Sequence, residues 1–265
     1  LLYELAIILP LLAWLGWSFT RTPAEVSDPL LLEWIIAIAI VDMLPVPTPV
    51  GFPFSLSFPL QLSVALIYPA PVAGVVALLG SSDAREFRRE IPFLQGVWNR
   101  SQIAWSVVIE SLLFHQLGSL KSPWFGLGPA VLLCALVGYT VNTLLVALYL
   151  HIRTGQPTLG ILRQMHVGVF GEFVLSYMGL ALFAVIVATT FVRIGPWSIA
   201  VFIAPLAFAP FQLGLNSDGP RLTMTSPAGP MSRTLKRALQ RALQLTKRGV
   251  CLAHSRSHER RLRRP

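Results

Sequence analysis

The feature that most constrains this chain is a series of long apolar blocks. They recur from Leu1 to about Leu213 and are separated by short polar links. A stretch of about 20 apolar residues matches the ~30 Å hydrocarbon thickness of a bilayer. Such blocks have no water-facing side, so they read as membrane spans rather than the core of one large soluble domain. The totals agree: 54% of residues are hydrophobic and only 12% charged, against about 25% charged in an average soluble domain. The expected fold is an all-α polytopic transmembrane bundle of about seven to eight spans.

The blocks place spans at about Leu1–Phe19, Pro29–Leu44, Trp98–Leu117, Phe125–Leu150, Val167–Val192 and Pro196–Leu213. The first block has no positive residues before it and no small-residue cleavage pattern, so it reads as a span and not as a signal peptide. Leu60 to Ser82 holds two short blocks split by Tyr68-Pro-Ala-Pro71. These predict two short spans joined by a tight turn, with one long kinked helix as the alternative. Pro45, Pro47, Pro49 and Pro53 forbid a regular helix just upstream. Extended backbone there cannot face lipid, so it belongs at the interface or inside the bundle.

The net charge of +9 is unevenly placed. Twelve of the twenty-one Lys and Arg lie from Arg221 onward, where Glu259 is the only acid. Residues 1–213 thus form a near-neutral bundle, and 214–265 a basic tail. The Arg85/Arg88/Arg89 and Arg153/Arg163 loops share one side with the tail in an eight-span arrangement. Cationic loops stay in the cytoplasm, which puts both termini inside a plasma (inner) membrane. Within the tail, Ser232 to Arg248 predicts a basic amphipathic helix, with Lys236, Arg237 and Arg241 opposite Leu235, Leu239 and Leu243. Residues Arg85, Arg88, Arg89, Lys236, Arg237 and Arg241 are candidates for contact with anionic lipid headgroups or a protein partner. A solvated loop is the plainer reading for the first three. Nucleic acid is a weaker partner, because the tail offers no aromatic residues for base stacking.

Polar residues inside the spans mark the candidate site. Asn99, Gln102, Ser106 and Glu110 recur every three or four residues and share one helical face. Gly168, Glu172, Ser176 and Gly179 form a second stripe, and Asn142 lies in the span between. A carboxylate in hydrocarbon costs about 2.5–3.5 kcal/mol or more, so such groups face a bundle interior or water. Asn99, Gln102, Glu110, Asn142 and Glu172 are therefore the candidate lining of a polar pocket for a small ligand or proton. The competing reading is interhelical hydrogen bonding, which contributes about 0.6 kcal/mol per bond. No phosphate loop, zinc motif or nucleophile elbow is present in the sequence, the histidines are scattered, and the two cysteines, Cys134 and Cys251, are not spaced as a pair. No metal, cofactor or catalytic residue is expected.

Four stretches resemble the N-terminal transmembrane sensor region of bacterial HD-GYP and HD-domain phosphohydrolases. They are Leu44-Pro-Val-Pro…Gly51…Ser55-Leu-Ser-Phe58, Ala77-Leu-Leu-Gly80 with its Arg-rich loop, Val97-Trp-Asn-Arg-Ser-Gln102, and Val141-Asn-Thr-Leu-Leu-Val-Ala-Leu148 with Gly155-Gln-Pro-Thr158. The resemblance lies in arrangement and covers roughly residues 30 to 215. It implies a membrane sensor or regulatory module linked to cyclic-di-GMP signalling. Met231 to Leu239 resembles the helix that enters the catalytic domain in such proteins. The His-Asp metal pair and the Gly-Tyr-Pro signature are absent from the sequence, so no phosphodiesterase residue carries over. A module acting alone or through a partner or homo-oligomer is the expectation. A vitamin-like substrate-binding transport subunit and a structural accessory subunit are the alternatives.

Overall fold

A computed structural model describes the backbone of residues 2–21, 28–43, 57–165 and 170–202, and their side chains except at 84, 163–165 and 170–176. The chain divides into a unit Leu1–Gln212 and a unit Leu213–Pro265. The second unit lies outside the described residues, and with it the expected helix over 232–248, Lys236, Arg237 and Arg241. The proline run at 45–53 and His166 lie outside them as well.

The described chain is helical, with no strand among the described residues. In order, the helices are α1 (Leu2–Phe19), α2 (Leu30–Met43), α3 (Phe58–Ile67), α4 (Ala70–Gly80), α5 (Ala84–Phe87), α6 (Phe93–Leu117), α7 (Trp124–Thr154), α8 (Thr158–Met165) and α9 (Phe170–Ile194). A short helical stretch, 197–202, follows. Three helical segments are long and apolar enough to cross a membrane: Leu2–Phe19, Trp124–Thr154 and Tyr177–Ile194. Their exposed faces are apolar. Leu133, Leu136, Leu144 and Leu148 stand out along α7, and Leu32, Ile36 and Ile40 along α2. A water-soluble monomer rarely carries contiguous apolar surface of this extent, whereas hydrocarbon takes it without cost.

Helix boundaries follow local chemistry. Gly155 ends α7 in a left-handed conformation (φ 71°), its N–H bonded to the His151 carbonyl at 2.8 Å. That cap requires a residue without a Cβ penalty. Helix α6 begins five residues before the expected Trp98, because Pro92 starts it and Phe93 to Val97 complete the first turn. It runs for 25 residues, about 37 Å at 1.5 Å per residue.

The Leu60–Ser82 region is a helical hairpin with the expected tight turn, but its legs are too short to be the two spans expected there. Tyr68-Pro69 forms the turn: Pro69 is extended (ψ 154°) and precedes α4. The hairpin's open end is closed by Gln61, whose Nε2 donates to Ser57 Oγ (3.0 Å) and Ser81 Oγ (3.2 Å). Its tip is held by Ser111 Oγ donating to the Tyr68 carbonyl at 2.8 Å. Ser63 Oγ ties α3 to α9 through the Ala184 carbonyl at 2.9 Å. Legs of 10 and 11 residues measure only about 15–17 Å. They are half the length a crossing needs and sit inside the bundle. Most of α3 is buried, including Leu60, Leu62, Val64, Ala65 and Leu66.

Two apolar clusters flank α6. One joins α1, α2, α4 and α6 around Trp34, Ile38, Val72, Val76 and Val108; the other joins α3, α6, α7 and α9 around Leu62, Phe114, Val131, Cys134 and Ala184. Helices α6 and α7 run antiparallel, joined by the turn at 118–123. The polar face of α6 lies along their shared seam.

Candidate functional site: a polar seam between α6 and α7

Gln102, Ser106 and Glu110 are all buried, as their common face predicts. Asn99, one turn earlier, is half-buried at the edge of the stripe. Two contacts fix the register against α7. Trp98 stacks on Tyr149 with ring centroids 4.2 Å apart. Twelve residues further on, Glu110 lies against Gly138, where an added Cβ would come within 2.6 Å of Glu110 Cγ. Antiparallel pairing between those points places Asn142 opposite Ser106, one turn from both Gln102 and Glu110. The structure thus brings Gln102, Glu110 and Asn142 to one seam. Glu172 lies within α9, and its side chain is outside the described set.

Ser106 Oγ turns back to the Gln102 carbonyl at 3.1 Å and offers the seam little. Among the described residues, Trp98 Nε1, Gln102 Oε1 and Asn142 Oδ1 in the seam, and Trp34 Nε1 on α2, are buried without a hydrogen bond. Glu110 is 3% exposed, and no described cation or donor pairs with its carboxyl. The Cys134 thiol and the Tyr177 hydroxyl lie within electrostatic reach of it. An unsatisfied buried polar group costs about 1–3 kcal/mol, and native interiors contain few. Three along one seam, with the Glu110 carboxyl beside them, leave a strip that offers both acceptors and donors. It suits water or a small molecule that presents N–H or O–H groups.

Aromatic rings close both ends. Tyr3 and Tyr149 surround Trp98, and Tyr3 Oη donates to the Leu145 carbonyl at 2.9 Å. At the other end Tyr139 and Tyr177 lie 5.1 Å apart, and Phe58 stacks on Tyr177 at 4.2 Å. Sequence reasoning did not single out Trp98, Gly138, Tyr139 or Tyr177 as site residues. Gly138 was readable in part: it precedes Asn142 by four residues and shares its face.

The charged loop has its own architecture. Arg85 is engaged by Asp83 (Nη2 to Oδ2, 2.6 Å), and this bond holds the Asp83 carboxyl below its ordinary range. Arg88 lies 3.9 Å from Glu90, and Arg89 occupies a left-handed turn (φ 56°). Glu86 folds back over Gly96 to accept from Arg100 Nε at 3.1 Å. Among the described residues there is no cluster of three or more His, Cys, Asp or Glu that could hold a metal.

Comparison of the chain with family models, curated proteins and solved structures finds no match.

Proposed function

We propose that this protein is an integral membrane sensor or regulatory module without catalytic activity of its own, and that the α6–α7 seam is its ligand-binding element. One observation carries this reading: buried polar atoms of Trp98, Gln102 and Asn142 lack partners along the seam that also holds the buried Glu110. A purely structural seam would pair these groups with one another, since interhelical bonds are the usual reason for polar residues in a bundle. The resemblance to sensor regions of HD-GYP proteins points the same way.

In this reading α1, α2, α6, α7 and α9 cross the membrane, and the α3–α4 hairpin enters and leaves on one side. Counting both hairpin legs gives seven segments, and the segment from Pro196 makes eight. Arg85, Arg88, Arg89, Arg100 and Arg153 gather at one end of the helices, against Arg21, Lys121 and Arg193 at the other. Positive residues favour the cytoplasm, so the first end, the amino terminus and the basic tail face inward.

The test is thermal unfolding of the purified full chain and its Glu110→Gln variant, from mildly acidic to mildly alkaline pH and against a panel of small amines, amides and alcohols. The sensor reading expects a stabilising ligand or a pH response in the wild type that the variant loses while remaining folded. Identical profiles for both proteins overturn it.

A second reading, a substrate-binding transport subunit, is favoured by the half-length hairpin. Helices broken at membrane depth often line a transported substrate's site. Uptake of the stabilising compound into proteoliposomes selects this reading over the first.

A further inference from the structure

The far end of the bundle holds a separate cavity that the seam does not reach. Its volume is about 870 Å³, and it opens where α6 ends, α7 begins and α9 ends. Trp124 and Val192 give it exposed apolar surface beside the half-buried Ile67 and Leu120, and the hydroxyls of Ser119, Ser122, Thr189 and Thr190 also line it. Its rim carries three basic side chains, His115, Lys121 and Arg193, and no acidic residue lines it. Neither Lys121 nor Arg193 is paired with a carboxylate among the described residues. His115 donates from Nδ1 to the Ser111 carbonyl at 2.8 Å, which fixes the ring.

From this geometry we infer a binding site for an anionic amphiphile: a phosphate head against Lys121 and Arg193, and a hydrocarbon chain on the apolar surface of Leu120, Trp124 and Val192. Two features select that class. Lone cations on an acid-free rim call for an anion, and charge-assisted bonds to phosphate are the strongest such contacts. The volume is that of a site for a whole organic molecule, far larger than an inorganic anion fills, and exposed apolar side chains lie beside the cations. The bilayer's own anionic phospholipid and a free single-chain amphiphile share this chemistry.

The experiment is thermal unfolding of the full chain, wild type and Lys121→Gln/Arg193→Gln, both positions being exposed at the rim. The protein is examined in dodecyl maltoside with dodecyl phosphate or inorganic phosphate added, and in nanodiscs of phosphatidylglycerol or phosphatidylcholine. The wild type is expected to be stabilised by dodecyl phosphate, by phosphatidylglycerol over phosphatidylcholine, or by both. The double variant is expected to need roughly tenfold more of the anionic amphiphile for the same shift. A response to phosphatidylglycerol alone identifies a membrane lipid as the occupant, and a response to dodecyl phosphate alone identifies a free amphiphile. Equal responses in wild type and variant, equal stabilisation by inorganic phosphate, or no preference for either anionic amphiphile overturns the site.

Discussion

The carboxyl of Glu110 lies directly on the backbone of Gly138, in space that any side chain at that position would occupy. A glycine on α7 thus admits a long acidic side chain from α6 into a buried seam. Substituting Gly138→Ala is expected to push the helices apart or force Glu110 off its rotamer, destabilising the bundle by about 1–3 kcal/mol. Glu110→Ala should relieve most of that penalty, because the two positions share one volume. A double-mutant cycle on thermal or denaturant unfolding in detergent measures the coupling; strictly additive effects contradict the contact.

The hairpin makes its own prediction. Gln61 ties Ser57 to Ser81 across the open end. Gln61→Leu keeps the bulk and removes both bonds, opening the tie between Ser57 and Ser81. The expected loss is about 1–3 kcal/mol, with faster hydrogen exchange concentrated in residues 57–82 rather than in α7.

The Glu86–Arg100 pair anchors the charged loop to the first turns of α6. Both side chains are only partly exposed (18% and 27%), so Arg100→Gln is expected to cost about 1.5–3 kcal/mol, the range for hydrogen bonds to charged groups. Gly96→Val should reach the same end by filling the space under Glu86, which an added Cβ already approaches within 2.8 Å of Cδ. Hydrogen exchange over residues 83–92 reads both effects.

The Asp83–Arg85 pair sets an acid limit on that loop. Hydrogen bonding from Arg85 lowers the folded-state pKa of Asp83. A lowered carboxylate pKa stabilises the fold above the unfolded value, and the contribution is lost as pH falls through the folded value. The loop should therefore hold through the ordinary carboxylate range and loosen only below it. Arg85 is 55% exposed, so solvent screening limits the effect to roughly 0.2–1 kcal/mol. Asp83→Asn should abolish the step in a pH series of loop exchange rates.

Much of this was legible along one dimension. Apolar run length located the helices, and the period of 3.6 put Gln102, Ser106 and Glu110 on one buried face. The twin prolines around Ala70 announced the hairpin turn. What periodicity cannot read is which helix opposes a given face and in what register. The stacking of Trp98 on Tyr149 and the seating of Glu110 on Gly138 set that register, and neither leaves a local pattern. The basic cavity was hidden for a similar reason. Its rim residues, His115, Lys121 and Arg193, come from three elements, and no sequence spacing joins them. The half-length hairpin was hidden too, because two short apolar blocks read alike whether they cross a membrane or turn back within a bundle.

The central claim is that the seam holds a ligand. Its most direct test is an experimental density map of the full chain in nanodiscs, at a resolution that shows side chains. The account predicts non-lipid density within hydrogen-bonding distance of Gln102, Asn142 and Glu110. A seam in which those groups pair with protein side chains, with no density between them, contradicts it.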